Sequence, residues 1–252
     1  MATSTASTVG TTTTRRRLLE LSLEELEQLC VSLGQPAFRA RQLFTWIYSE
    51  LVFDFDQMAN LPKAFRDELS RTATILPFEV AALQHTRDEL THKVLFRLAD
   101  GKTVETVLML YDPTEESRGR RTVCVSSQVG CAIGCPFCAT GQSGFGRNLT
   151  AGEIVAQVLF FARLVLDHWE SAPYDERPIT NIVFMGQGEP LLNLKEMAQA
   201  IERLNSPYGF NLGARQMTVS TSGIIPKIHE FARLPYQLNL AISLHAPNDE
   251  LR

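Results

Sequence analysis

No stretch of the 252-residue chain approaches the roughly eighteen uninterrupted apolar residues of a membrane-spanning helix, and its longest apolar helical run carries Arg163 inside it. The expectation is a chain that does not cross a membrane. Cysteine is scarce and odd in number, five in all, with three inside eight residues, too close together for a framework of cross-bridges. That pattern points to a reducing, cytoplasmic setting and to metal ligation. Basic residues are outnumbered by acidic ones, 24 to 28, so the net charge of −4 excludes a phosphate-binding coat over the whole surface. A local basic surface survives such an average, so RNA binding stays open. Residues 1–14 hold no charged side chain and are almost wholly Thr, Ser, Ala and Gly, too little apolar surface to offset ordering entropy. With Arg15, Arg16 and Arg17 they read as a disordered, solvated tail over 1–17. A twin-arginine signal fails because Leu18-Leu19 runs into Glu20, Glu24 and Glu25, and the amphipathic arginine spacing of a transit peptide is missing.

What is present is a 44% hydrophobic chain, enough for one substantial core in an α/β protein. From 18 to 75 the period is helical. Ser22 and Glu25 form a capping-box pattern, Leu26, Leu29, Cys30 and Leu33 make the apolar stripe, and Gly34 stops the helix. A second helix carries Leu43, Phe44, Trp46, Ile47 and Leu51, and a third follows Pro62 with Phe65 and Leu69. Over 76–121 the period becomes two, Val94, Phe96 and Leu98 alternating with Lys93, Leu95 and Arg97. Asp100-Gly101 supplies a hairpin turn, and a charged link follows. From 122 to 252 strands at Val123–Ser127, Ile182–Met185, Met217–Ser220 and Leu238–Ser243 alternate with helices beginning near Ala151, Leu194 and Ile225. Thr150-Ala-Gly-Glu153 reads as a capping box and Asn193-Leu-Lys-Glu196 resembles one. Such alternation means a parallel sheet with right-handed crossovers. Four strands do not close a barrel, and the last has no covering helix, so the chain reads as the N-terminal part of a longer protein.

In Cys131-Ala-Ile-Gly-Cys135-Pro-Phe-Cys138 three thiols sit on a loop leaving the first parallel strand, where ligands of α/β sites are expected. Three thiols hold three irons of a 4Fe–4S cubane and leave the fourth open to an amine and a carboxylate, both of which S-adenosylmethionine offers. Structural zinc wants a fourth ligand and a second cysteine pair, which this region lacks. Three further segments end strands on the same rim. In Met185-Gly-Gln-Gly-Glu189-Pro190 the glycines, Gly188 among them, admit a ligand to the backbone, and Glu189 can accept an amine. Ser220 opens Ser-Thr-Ser-Gly, and Ser243-Leu244-His245 ends the fourth strand. Singly, each has a plainer explanation: a turn, a capped strand end, a satisfied buried histidine. Together they describe a rim able to hold S-adenosylmethionine.

These residues resemble a known family. Glu105-Thr-Val107, the run from Cys124 through Cys131 and Cys135 to Cys138, Gly144-Phe-x-Arg147-Asn-Leu149, Gly188-Glu-Pro-Leu191, Ser243-Leu-His-Ala246 and Phe38-Arg-Ala-Arg41-Gln-Leu-Phe-x-Trp46-Ile-Tyr48 are similar to the RlmN/Cfr radical-SAM RNA methyltransferases, from about Leu21 to Arg252. The resemblance implies a partial (βα)6 barrel, four strands of which lie in this chain. It implies methylation of C2 of adenosine in 23S rRNA and tRNA through a methyl-cysteine, or of C8 in the Cfr branch. Cys131, Cys135 and Cys138 would bind the cluster, and Gly188, Glu189, Ser220, Ser243, Leu244 and His245 would contact S-adenosylmethionine. Glu105 would be the proton acceptor, and Cys124 the thiol that resolves the protein–RNA adduct by disulfide formation. A cytoplasmic monomer served by an electron donor such as flavodoxin or ferredoxin is implied as well. Without the resemblance, Cys124 reads as an inert core cysteine and Glu105 as a solvated strand charge. Arg39, Arg41 and Trp46 are candidates for RNA phosphate and base contacts, though Trp46 reads more simply as core. No cysteine here matches the methyl-carrying one, so the expectation is a chain that binds cluster and cosubstrate without methylating RNA. The competing function from another class is a zinc-stabilised, non-enzymatic RNA-binding module.

Overall fold

The computed structural model of the chain describes residues 15–115, 119–168 and 177–251, so the expected disorder of residues 1–14 falls outside the described residues. Arg15–Arg17 are ordered where the sequence suggests a disordered tail, although Arg15 and Arg16 remain exposed. Arg16–Arg17 (β1) pair in parallel with Ala73–Thr74 (β2), and Arg17 approaches Glu153 at 3.7 Å. The reason lies just downstream, where Leu18 and Leu19 are fully buried and draw the arginines onto the body of the protein.

Three helices follow, α1 (Leu23–Ser32), α2 (Arg39–Tyr48) and α3 (Lys63–Thr72). The capping box that opens α1 is formed, Glu25 N donating to Ser22 Oγ at 3.1 Å and Ser22 N to Glu25 Oε2 at 2.7 Å. Gly34, just beyond α1, adopts φ +70°, the left-handed stop the sequence suggested. Trp46 is half-buried, and its indole N–H donates to Asn60 Oδ1 at 2.5 Å.

The expected hairpin is part of a longer antiparallel run: β3 (Phe78–His85), β4 (Thr91–Leu98) and β5 (Thr103–Tyr111) pair in sequence. β5 then pairs with β6 (Arg120–Cys124), which fuses the run to the parallel strands β9 (Asn181–Phe184), β10 (Met217–Thr221) and β11 (Asn239–Ile242). The result is one mixed seven-stranded sheet in the order β11-β10-β9-β6-β5-β4-β3, and no closed barrel forms among the described residues. Helices α5 (Ala151–His168) and α6 (Leu194–Asn205) are the crossovers, and α7 (Ile225–Phe231) is a short third.

Cross-strand partners share a face. One face, with Phe96, Val104, Leu108, Val123, Ile182 and Val219, is buried and joins the apolar residues of α1 to α3, α5 and α6 in a single core. Phe96 stacks on Phe78 at 3.9 Å and meets Phe160 of α5 edge-on at 5.1 Å, each pair worth about 1 kcal/mol beyond its burial. The opposite face, with Lys93, Glu105, Val107, Cys124, Val183 and Ser220, is only half-buried, so the polar residues of these strands lie along one open surface.

Candidate active site

Past Cys124 the chain runs through Val125–Ser127 into a small hairpin, β7 (Gln128–Gly130) against β8 (Phe145–Asn148), with the cysteine segment as its connection. The ends of that connection are clasped, Cys131 N donating to Gly144 O at 3.0 Å. At Gly130, φ +72°, a Cβ would lie 1.9 Å from the Gly144 carbonyl oxygen, so only glycine permits the crossing. Cys138 N closes a turn onto Cys135 O at 3.1 Å before the short helix α4 (Ala139–Gln142).

A cavity of about 310 Å³ opens beside this loop. Its walls bring together Cys131, Cys135 and Cys138 with Gly188, Glu189, Ser220, Ser243 and His245, eight of the eleven residues singled out from the sequence. Four strand ends supply them, in keeping with the rule that α/β sheets bind ligands beyond their carboxyl ends. Glu189 is buried and fully engaged: Oε1 accepts from Leu191 N at 3.1 Å, and Oε2 accepts from Ser222 N and Ser222 Oγ at 2.9 and 3.0 Å. It takes part in no ion pair among the described residues, so a buried anion faces the cavity with donors but no cation, which suits an ammonium ligand. At Gly188, φ +99°, a Cβ would come within 2.5 Å of the Gln128 side chain, and that close approach sets the loop carrying Glu189. The hydroxyls of Ser220 and Ser243 meet at 3.3 Å across β10 and β11. His245 holds φ +59°, its ring centroid 4.7 Å from that of Phe137.

Three of the singled-out residues do not line the cavity. Leu244 is 57% exposed. Cys124 and Glu105 lie instead on the open face of the sheet: Cys124 is the partner of Val107, and Glu105 stands two residues further along β5. The Glu105 carboxylate is 3.1 Å from Lys93 Nζ. Cys124 is half-buried and not in the core that its strand position suggested, whereas Glu105 is the part-exposed strand charge that its position suggested. Burial still pushes the Cys124 thiol up, with a hydrogen bond from the Met185 backbone acting the other way. All five cysteines are free, so no disulfide joins Cys124 to another described residue.

The thiols suit a positively charged, polynuclear group. Burial pushes Cys131 up; a backbone hydrogen bond at Ile133 opposes this, and the negative charges of Glu189, Cys135 and Cys138 reinforce it, so the set gains from a cation that offsets the repulsion. No three His, Cys, Asp or Glu side chains among the described residues are gathered as a single ion would require. A lone structural zinc wants four protein ligands, whereas a cubane takes each of three thiolates on a separate iron.

Sequence reasoning missed the polar hub beneath this rim. Gln157 of α5 is fully buried; its Oε1 accepts from Thr106 Oγ1 at 2.6 Å and Ser126 N at 2.8 Å, and its Nε2 donates to Ser126 O and Glu153 O at 3.1 Å each. Ser126 Oγ in turn donates to Glu105 O at 2.5 Å and accepts from Gln187 N at 2.9 Å, tying the Glu105 strand to the loop of Glu189. Gln157 looked like an ordinary helix residue; the available signal was a glutamine at an inward position of an otherwise apolar helix. Asn193 does not cap α6. Its amide donates to Ser127 O and Leu149 O, both at 2.8 Å, while Glu196 accepts from Ala151 N at the start of α5 at 3.0 Å. Two buried carbonyls beside Asn193 claim its side chain ahead of the helix end.

Residues 125–252 match the radical SAM superfamily, and residues 17–75 match the ribosomal RNA large subunit methyltransferase N-terminal domain. A probable dual-specificity RNA methyltransferase RlmN of Chloroflexus aurantiacus is 47% identical over 241 residues, covering 94% of this chain and 61% of its own length. A probable dual-specificity RNA methyltransferase RlmN of Salinibacter ruber is 45% identical over 97% of this chain and 64% of its own length. The crystal structure of a radical SAM methyltransferase from Sphaerobacter thermophilus superposes with a TM-score of 0.85 at 47% identity, over 94% of this chain and 66% of that one. The chain thus spans a little under two thirds of the length of these relatives.

Proposed function

The chain belongs to the radical SAM superfamily, in the family of the RlmN RNA methyltransferases, and on that footing we propose that it binds a 4Fe–4S cluster and S-adenosylmethionine and serves methylation of C2 of adenosine in 23S rRNA and tRNA through a methyl-cysteine. The observation that carries this reading is the meeting of three thiols and the cation-free Glu189 carboxylate on one cavity. Cys131, Cys135 and Cys138 would hold the cluster, whose chemistry when bound would be the one-electron reductive cleavage of S-adenosylmethionine. Glu189 would receive the methionine ammonium, the Gly188 backbone would admit the ligand closely, and Ser220, Ser243 and His245 would flank it, while Leu244, outside the cavity lining, is assigned there by the family resemblance alone. Glu105, 3.1 Å from Lys93 on the open face, would take the proton released from the adenosine ring. Cys124 on the same face would resolve the adduct by forming a disulfide with the methyl-carrying cysteine, which none of the five cysteines of this chain matches. A partial (βα)6 barrel, of which β6, β9, β10 and β11 are the first four strands, is the architecture that goes with this chemistry.

Anaerobic reconstitution followed by metal analysis and chromatography of the products tests the reading. About four irons per chain with broad visible absorption, and 5′-deoxyadenosine formed on adding S-adenosylmethionine and a reductant, are expected. One zinc and no such absorption would overturn it. Mass spectrometry of adenosines in RNA treated with the full-length protein distinguishes C2 from C8.

A further inference from the structure

A second cavity, of about 540 Å³, lies at the end of the sheet where β4 turns into β5. Arginines from two separate segments face it, Arg15 and Arg17 from the N-terminal segment and Arg97 from the end of β4; Glu79 is its one acidic residue. Arg15 is held by the Ser70 carbonyl, a neutral partner that leaves its charge uncompensated. Arg17 meets Glu153 only at 3.7 Å, because Glu153 is already bound by both terminal nitrogens of Arg147 at 2.7 and 2.9 Å. The Arg97 guanidinium makes no hydrogen bond or ion pair among the described residues, although Glu79 is its cross-strand neighbour. Arg15 and Arg97, with Arg17 shared with the Arg147, Glu153 and Asp100 network, outweigh the one carboxylate and leave the cleft positive on a chain whose net charge is −4.

Position gives this charge a meaning. The hairpin turn lies at the same end of the sheet as the cysteine loop, and the two are joined by Arg147 Nε donating to Asp100 Oδ2 at 2.7 Å. Arg97 is the partner of Thr103 and Glu105 the partner of Leu95, so Arg97 and Glu105 share a face as diagonal neighbours, about 7–8 Å apart.

We propose that this cleft binds the sugar-phosphate backbone of the RNA substrate, Arg97 holding a phosphate that flanks the nucleotide presented to Glu105 and Arg15 and Arg17 holding phosphates further along the strand. The planar forks of arginine match phosphate oxygens, and their spread along an open cleft suits a polyanion better than one small anion. This rests on the reading of the protein as RNA-acting and adds where the backbone lies.

The test is the salt dependence of binding of a fluorescein-labelled RNA hairpin with adenosines in its loop, followed by anisotropy, for the unaltered chain, Arg97→Ala, Arg97→Gln, Arg15→Ala and, as control, Arg163→Ala on α5. Removing one phosphate contact lowers the slope of log affinity against log salt by roughly 0.7 to 0.9. That decrease is expected for the Arg97 and Arg15 variants and not for the Arg163 control. An unaltered slope in both Arg97 variants, with RNA still bound, overturns the cleft and leaves the RNA-acting reading standing. Absence of RNA binding by the unaltered chain overturns both.

Discussion

Glu189 carries the largest electrostatic burden of any single residue in the cavity, since its carboxylate is buried and accepts from three donors. Glu189→Gln removes the charge and turns an NH2 group toward at least one N–H or O–H donor. A cost of about 2 kcal/mol in unfolding free energy is expected, together with at least tenfold weaker S-adenosylmethionine binding by calorimetry on the reconstituted protein. Equal affinity in the variant would remove Glu189 from the ammonium site. Cys30 has a different signature. Burial, helped by the Glu27 carboxylate, raises its thiol from the ordinary 9.0 to about 11. Below pH 9 the thiol is protonated in both folded and unfolded chains, and its contribution to stability is complete. Between pH 9 and 11 the unfolded chain ionises first, so stability falls. Thermal melts of the unaltered chain should decline across that window more steeply than those of Cys30→Ala, and parallel declines would count against it. Both residues were legible as types, Glu189 after a glycine loop and Cys30 on an apolar helical stripe. The three donors that hold Glu189 were not, since Ser222 arrives from another strand end.

At the scale of elements, the start of α5 gathers polar contacts from several segments. Thr150 and Glu153 form the capping box read from the sequence, with Thr150 N to Glu153 Oε2 at 3.1 Å and Glu153 N to Thr150 Oγ1 at 3.2 Å. Glu20 adds a carboxylate from 130 residues away, accepting from Thr150 Oγ1 at 2.5 Å and from Gly152 N at 3.1 Å. Negative groups at a helix N-terminus complement its orphan N–H groups and its dipole. The Arg147 of the Gly-Phe-x-Arg-Asn-Leu segment is the counter-charge, binding Glu153 and Asp100 together. Arg147→Ala leaves the buried Glu153 without its main partner. A loss of about 2–3 kcal/mol in urea unfolding is expected, less than for a fully buried pair because Arg147 is part-exposed. Gln157→Leu, similar in volume, strands the amide of Ser126 and the hydroxyl of Thr106. It should lower the urea midpoint by the equivalent of about 3 kcal/mol with the slope unchanged. A neutral result would mean that water reaches the hub. Strand alternation and capping residues were readable because they are local. The partners of Arg147, Gln157 and Asn193 depend on which helix crosses which strand, and no spacing rule contains that.

For the whole molecule, the helical region and the sheet share one continuous core, and Arg203 of α6 stitches them. Its guanidinium donates to Leu19 O at 2.9 Å and to Glu20 O at 2.8 Å, and it is itself nearly buried. The short segment it grips is the one that sends Leu18 and Leu19 into the core and Glu20 to the head of α5. Further along, Ser49 Oγ donates to Gly209 O at 3.0 Å, and Phe44 and Tyr48 crowd the same glycine, where a Cβ would lie 2.6 Å from Phe44. Composition gave no hint of this docking, because it rests on backbone carbonyls that every sequence has and on one arginine amid the apolar stripe of α6. Arg203→Leu preserves apolar contact but leaves two carbonyls buried without donors, at about 1–3 kcal/mol each. The loss should be local before it is global: the grip fails first on residues 16–33, while α5 and β9 keep their own backbone ladders. Hydrogen exchange followed by mass spectrometry should therefore show faster exchange in peptides covering 16–33 of Arg203→Leu at denaturant-free equilibrium, with peptides covering 154–165 and 181–184 unchanged. Equal acceleration in all three would mean that the N-terminal segment has no opening of its own and that helices and sheet open only as one unit.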